Sequence, residues 1–139
     1  MSAPSDTIFT RIIRGAIPCH RVFENERVLA FLDINPLAEG HTLVVPKRQV
    51  ERLDQLPPEE AAEIARHLGR IAARIVSVTG AEGYNVLQNN GRAAGQEVPH
   101  VHFHIIPRRA GDGLGYRWHP KPAQQDALAA LAAKLREEC

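Results

Sequence analysis

Pro99-His100-Val101-His102-Phe103-His104-Ile105-Ile106-Pro107 decides how the chain is read. In extended backbone successive side chains point to opposite faces, which sets His100, His102 and His104 on one face and Val101, Phe103 and Ile105 on the other. The apolar face packs. Three imidazoles make a poor core, because each carries a donor and an acceptor that must be satisfied when buried, so the histidine face is expected to do chemistry. A metal could use it, histidine being a common ligand. Alternate strand positions lie roughly 6.5 to 7 Å apart, however, leaving His100 and His104 about 13 Å apart at the backbone, too far to converge on one ion without a strong bend. Nucleophilic catalysis by the middle imidazole fits better. A neutral ring at pH 7 offers one unprotonated nitrogen while a partner holds the other, and His102 has a neighbour on each side.

Upstream, Asn89 to Glu97 is a polar loop with two glycines. It reads either as a hairpin loop built on Asn90-Gly91 or as a cradle in which backbone N–H groups and the Asn89 amide approach an anion. Tyr84 to Gln88 reads as the strand before it. Further back, Pro57-Pro58-Glu59-Glu60 opens a helix with proline and acids in its first turn. Ala61, Ile64, Ala65, Leu68, Ile71, Ala72, Ile75 and Val76 then keep helical spacing until Thr79-Gly80. This long helix is expected to cover the sheet, with His67, Glu63, Arg66, Arg70 and Arg74 on its solvated face. Gly40 leads into a β-branched strand from His41 to Pro46, and His41 at its entrance reads as either a structural or a chemical histidine. Arg21 to Glu24 and Val28 to Ile34 read as strands around Asn25-Glu26. Asp33, near the end of the second, could start a turn or accept from the two hydroxyls of a ribose.

Thr7 to Arg14 reads as a short helix presenting Ile8, Phe9, Ile12 and Ile13, stopped by Gly15 and Pro18. Residues 1 to 6 are polar and expected to be loose. Beyond the histidine run, Arg108 to Gly115 is a loop leading to Tyr116 and the single tryptophan, Trp118, which would fold over the site or pack on the body. Ala123 to Glu138 is an Ala/Leu-rich helix with Leu128, Leu131 and Leu135 at helical spacing. Short strand connections suit hairpins, so the elements predict an α+β domain: a mostly antiparallel five-stranded sheet, one long helix and a C-terminal helix.

The 139 residues suit a single domain spanning 1 to 139, its core at about residues 8 to 110 and a loop and helix over 111 to 139. Hydrophobic content of 44% and charged content of 24% are ordinary for a globular protein. A net charge of +1 lacks the basic footprint of a nucleic-acid binder. No apolar run approaches a membrane span or a signal peptide, and Cys19 and Cys139 form neither a metal pair nor a disulfide framework. The expectation is a cytoplasmic protein with no nucleic-acid or membrane partner.

His100-x-His102-x-His104, preceded by Ala94-Gly95-Gln96-Glu97-Val98, resembles the signature of the histidine-triad (HIT) family, in its bacterial-type, HINT-like nucleotide hydrolase branch. Ile8-Phe9-x-x-Ile12-Ile13-x-Gly15-x-Ile17-Pro18, Val28-x-Ala30-Phe31-Leu32-Asp33-Ile34 and Gly40-His41-Thr42-Leu43-Val44-Val45-Pro46-Lys47 resemble its other blocks, in order. The resemblance implies a HIT-like fold, a homodimer whose sheets join, and hydrolysis at the α-phosphorus of purine nucleoside 5'-phosphate derivatives such as phosphoramidates. His102 would attack phosphorus to give a nucleotidyl-histidine that water then cleaves. His104 would donate to a phosphate oxygen, with His41, the family's outlying fourth histidine, and His100 orienting the nucleophile. Phe9, Ile12 and Ile17 would wall a base pocket, with Phe31 and Ile34 in the same nucleotide-binding set. Asp33 would hold the ribose, and Asn89, Gly95, Gln96 and Glu97 would lie at the phosphate. Glu97 departs from relatives with Ser or Thr, since an ionised carboxylate cannot donate. Thr7-Ile8-Phe9-Thr10 stands where some relatives carry a zinc-binding Cys-x-x-Cys, so no metal and no cofactor are expected. The alternatives are a dinucleoside polyphosphate hydrolase, or a nucleotide-binding regulatory protein with incidental turnover.

Overall fold

The computed structural model describes residues 5 to 115 and 118 to 138; Tyr116, Cys139 and most of the loose N-terminus expected above lie outside the described residues. Eight elements build the domain: α1 (Ile8–Ile13), β1 (Arg21–Glu24), β2 (Val28–Leu32), β3 (Thr42–Pro46), α2 (Pro58–Thr79), β4 (Gly83–Gln88), β5 (Phe103–Arg108) and α3 (Gln125–Glu138), with short 3-10 turns at Leu53–Gln55 and Arg92–Ala94. The strands form one sheet in the order β1-β2-β3-β5-β4, and every neighbouring pair is antiparallel. β5 is thus the last strand in sequence, yet it lies between β3 and β4. That insertion puts the end of the histidine run on an interior strand of the sheet.

Both faces of the sheet are covered, and the alternation along β2 and β3 shows how. Val28, Ala30 and Val44 join Val101 and Ile105 in a core with Ile64, Ile71, Ala72 and Ile75 of α2. Leu29, Phe31, Leu43 and Val45 point the other way, into a smaller core with Phe9 of α1. A strand buried on both faces is a continuous apolar run, which is why residues 28 to 31 and 43 to 45 lack polar positions. His104 is paired with Leu43. Directly paired residues share a face, so its side chain stands on the α1 side, where cover is thin enough to leave a site.

Gly40 lets α2 cross close to the start of β3. It has φ +93°, and a Cβ there would come within 2.9 Å of Ile75 and 3.0 Å of Thr79. α2 itself ends on Gly80 in the left-handed conformation, the cap expected of a glycine after the last apolar turn.

Four expectations need correction. β2 stops at Leu32, two residues short of Ile34: the Asp33 N–H still donates in register to the His41 carbonyl (2.9 Å), but the His41 N–H does not return the bond and turns to the Ala38 carbonyl instead (3.0 Å). β5 begins only at Phe103: the His100 N–H turns back onto the Val98 carbonyl around Pro99 (2.9 Å), and the Val101 N–H goes to Val50 (2.8 Å). His100 therefore leaves the line of the other two histidines. His67 is not solvated; its ring stacks on Phe23 (centroids 4.6 Å) and bonds Glu63 (3.0 Å), tying α2 to the β1–β2 hairpin. Trp118 is not buried against the body, being 76% exposed.

Candidate active site

His102 and His104 stand side by side on the α1 side of the sheet, ring centroids 4.9 Å apart. Their hydrogen-bond partners fix where each proton sits. The His102 Nδ1 lies 2.7 Å from the His100 carbonyl, which can only accept. Nδ1 must then carry the proton, and Nε2 is left with its lone pair. Around His104 the logic runs through a chain. The Leu37 N–H donates to His41 Nδ1 (3.0 Å), so a neutral His41 is protonated at Nε2 and donates to His104 Nδ1 (2.9 Å). His104 consequently presents Nε2–H. A bare nitrogen and an N–H donor lie next to each other, the pairing needed to attack an electrophile and hold its developing negative charge.

Burial keeps these rings neutral. His41, His100 and His102 all titrate below the ordinary 6.5, chiefly through desolvation, and desolvation with the neighbouring His102 and His41 brings His104 down to about 4. The Asp33 carboxylate opposes the shift at His41, His102 and His104. Its Oδ1 accepts from the Asn35 N–H (2.8 Å) and its Oδ2 lies 3.7 Å from His41 Nε2.

Asp33, His41 and His104 bring one ligand atom each within 4.8 Å of one another, a spacing that could suggest a metal. The tautomers oppose it. To bind an ion, His41 Nε2 must give up its proton to Nδ1, where the Leu37 N–H already points. His100 does not share in the site. It is fully buried, with Nε2–H donating to the Pro46 carbonyl (2.9 Å) and Nδ1 accepting from the Thr7 hydroxyl (2.8 Å). Only its carbonyl touches His102.

One cleft of about 200 Å³ between α1 and the edge of β2 brings together Phe9, Ile12, Ile17, Phe31, Asp33 and Ile34. Cys19 and Leu43 also line it, and the sequence reading did not select them. Phe9 joins the cleft to the histidines, its ring edge-on to Phe31 (5.6 Å) and to His102 (4.9 Å). A larger open concavity at the β1–β2 hairpin is lined by Arg21, Glu24, Glu26 and Lys47 and contains none of the histidines.

The loop residues divide. Gly95 has φ +93°, a left-handed backbone suited to glycine, and the Asn89 side chain lies in ordinary contact, 3.6 Å from where a Cβ would sit. Gln96 is buried with its amide fully committed: Oε1 accepts from Gly91, and Nε2 donates to the Glu51 and Val98 carbonyls. It braces the loop and has no side-chain group left for a ligand. Glu97 is exposed, in a separate shallow concavity with Arg92. Missed by sequence reasoning were Leu37, which acts through its amide, Thr7 and Thr10, which reach His100 from 93 and 90 residues away, and Gln49, which bonds Thr10. No local signal marks such partners.

A family model described as the HIT domain matches residues 14–111. The chain is 38% identical over 143 residues to adenosine 5'-monophosphoramidase HNT1 of Candida albicans, covering 99% of this chain and 94% of that protein. It is 37% identical to adenylylsulfatase HINT3 of Arabidopsis thaliana, covering 97% of this chain and 71% of that protein. A crystal structure of a HIT family protein from Bacillus anthracis superposes with a TM-score of 0.93 at 38% identity, covering 99% of both chains. With the end of its histidine run on an interior strand of the same five-stranded sheet, the chain belongs to the HIT domain family.

Proposed function

We propose that this chain is a HIT-type nucleotide hydrolase that releases a purine nucleoside 5'-monophosphate from phosphoramidate-like derivatives through a nucleotidyl-histidine intermediate. The observation that carries the reading is the fixed tautomer pair: His102 with a bare Nε2 beside His104 with an Nε2–H. His102 attacks the α-phosphorus, and the leaving group departs with the bond electrons and a proton from solvent, which the hydrolytic water gives back in the second step. Water then adds to the nucleotidyl-histidine, and the phosphorus–nitrogen bond breaks to restore the neutral ring. His104 donates to a phosphate oxygen, and the anion raises its depressed basicity as it binds. His41 holds His104, and the His100 carbonyl holds His102.

The base lies in the cleft against Phe9, Ile12, Ile17, Phe31 and Ile34, with Asp33 at its end accepting from the ribose hydroxyls. Asn89 and the Gly95 backbone meet the phosphate. Glu97, in its separate concavity beside Arg92, would meet only a leaving group that extends beyond the cleft. No metal or cofactor enters. The named activities of the Candida and Arabidopsis relatives, an adenosine 5'-monophosphoramidase and an adenylylsulfatase, support a site that fixes the nucleotide and varies the leaving group. The working unit is a homodimer joined along β4, located in the cytoplasm and without nucleic-acid or membrane partners; no helix among the described residues is long and apolar enough to cross a membrane.

The test is release of adenosine monophosphate from adenosine 5'-phosphoramidate with a chelator present. The unaltered chain is expected to turn over and His102→Ala to lose at least a thousandfold in kcat, on the order of the loss when a nucleophile is removed. An active His102→Ala protein removes the assignment. An inactive wild-type chain that still binds adenosine monophosphate transfers the reading to other leaving groups or to a binding role.

A further inference from the structure

The Thr7 side chain holds a position that the reaction scheme above leaves unused. Its hydroxyl is buried and makes two bonds at once: it accepts from the Thr10 N–H (3.1 Å), capping α1, and it lies 2.8 Å from Nδ1 of His100. The direction of the second bond follows from the rest of the cluster. His100 Nε2 faces the Pro46 carbonyl and must carry the proton, so Nδ1 is an acceptor and Thr7 donates. The Thr10 hydroxyl is spent on Gln49 Oε1 (2.6 Å), which also accepts from the Thr7 N–H (2.9 Å). Gln49 Nε2 donates to the Ser5 carbonyl. No buried side-chain nitrogen or oxygen is left without a partner among the described residues.

We infer that Thr7, held in place by Thr10 and Gln49, is a positioning residue for the nucleophile, acting through His100 on His102. The His100 ring is clamped at both nitrogens, between α1 and β3. Its carbonyl, only a few bonds from that ring, is the acceptor that keeps the His102 proton on Nδ1 and so leaves Nε2 bare. Without the Thr7 donor, His100 Nδ1 keeps only the more distant Thr10 hydroxyl (3.4 Å), whose proton is committed to Gln49, and the cost of an under-satisfied buried acceptor is relieved by turning the ring or moving its proton. Either change displaces the carbonyl. The same hydroxyl docks α1, whose Phe9 packs edge-on against both His100 and His102, so a purely structural role is the rival to be separated.

This inference rests on the proposed function for its kinetic arm alone. The first readout is the side-chain nitrogen NMR of the wild-type chain. His100 is expected protonated at Nε2 and His102 at Nδ1; the reverse tautomer at either ring overturns the inference whether or not the protein turns over any substrate. The second compares Thr7→Val with Thr7→Ser. Thr7→Val is expected to lower kcat on adenosine 5'-phosphoramidate by about 10- to 100-fold, the scale of a misplaced reacting group. It should leave adenosine monophosphate affinity unchanged and give His102 a mixed tautomer signal, and Thr7→Ser should restore both. Weakened adenosine monophosphate binding with unchanged kcat would mean that Thr7 only docks α1, and the inference would fall. Should Thr7→Val not fold, Thr10→Val carries the comparison, since it releases Gln49 and leaves the Thr7 hydroxyl in place: a partial loss in kcat supports the inference, and no loss overturns it.

Discussion

Burial sets the protonation of His102 before any substrate arrives. Desolvation lowers its basicity more than the His100 carbonyl and the Asp33 charge raise it, so the ring gives up its second proton below the ordinary 6.5. The sign for activity follows. Attack needs Nε2 bare, and a lowered pKa keeps it bare further into acid. The kcat/KM profile for adenosine 5'-phosphoramidate is therefore expected to be flat from pH 8 down to about 6.5, with its acid limb below that value. An acid limb above pH 7 would show that the nucleophile is a different group or sits in a wetter place. At this scale the sequence was informative about which motif side chains come together: His102, His104, His41 and Asp33 lie side by side in the fold. It failed for His100, whose side chain leaves the row because Pro99 seats a tight turn before the strand begins. It also failed for Gln96, a polar loop residue whose amide the fold consumes. Alternation cannot foresee a turn, and composition cannot tell a ligand's partner from the loop's own.

The elements follow from patterns that are local, and their limits shift where long-range bonds intervene. α2 runs from Pro58 to Thr79 as its apolar spacing and terminal glycine indicate. β2 ends early because the His41 N–H, which would return the bond to Asp33, is taken by the Ala38 carbonyl in the turn before β3, a partner no periodicity reveals. His67 likewise sits among charged positions of the helix, yet Phe23 arrives from another element and covers it. Gly40 is where two elements press hardest. A methyl group there would meet Ile75 and Thr79 of α2 at 2.9 and 3.0 Å while forcing a left-handed φ of +93° on a residue with a Cβ. Gly15, at φ +80°, has nothing within 4 Å of the same methyl. Gly40→Ala combines the left-handed cost with overpacking and is expected to destabilise by about 3 kcal/mol. Gly15→Ala carries only the conformational cost, about 1 kcal/mol. Urea midpoints at constant m-value measure both, and equal losses in the two variants would show that α2 does not bear on β3 at that point.

The whole molecule has two sheet edges, and they are not equivalent. β1 is guarded: Arg21 bonds Glu24, and Lys47 bonds the same carboxylate (2.7 Å), a charged edge of the sort that discourages pairing with another chain. β4 carries no charge at all along Gly83-Tyr84-Asn85-Val86-Leu87-Gln88, and Tyr84 and Val86 stand exposed on it, as does Val78 at the end of the neighbouring α2. Its outer N–H and C=O groups have no strand beside them. α3 is in a similar condition, with Leu128, Leu131 and Leu135 exposed at helical spacing. An unguarded central-type strand at an edge is covered most economically by its own copy, since antiparallel β4–β4 pairing about a two-fold axis closes both edges at once and leaves no further sites. The sequence alone could mark β4 as uncharged but not as an edge, because its position depends on β5 entering between β3 and β4. The proposed homodimer is thus expected to sediment at twice the 15.4 kDa chain mass. Val86→Lys puts a charge in the middle of the joined sheet and is expected to shift it to the monomer. A wild-type monomer at micromolar concentration would exclude the β4 interface, whereas a Val86→Lys protein that stays dimeric would place the contact on the leucine face of α3 instead.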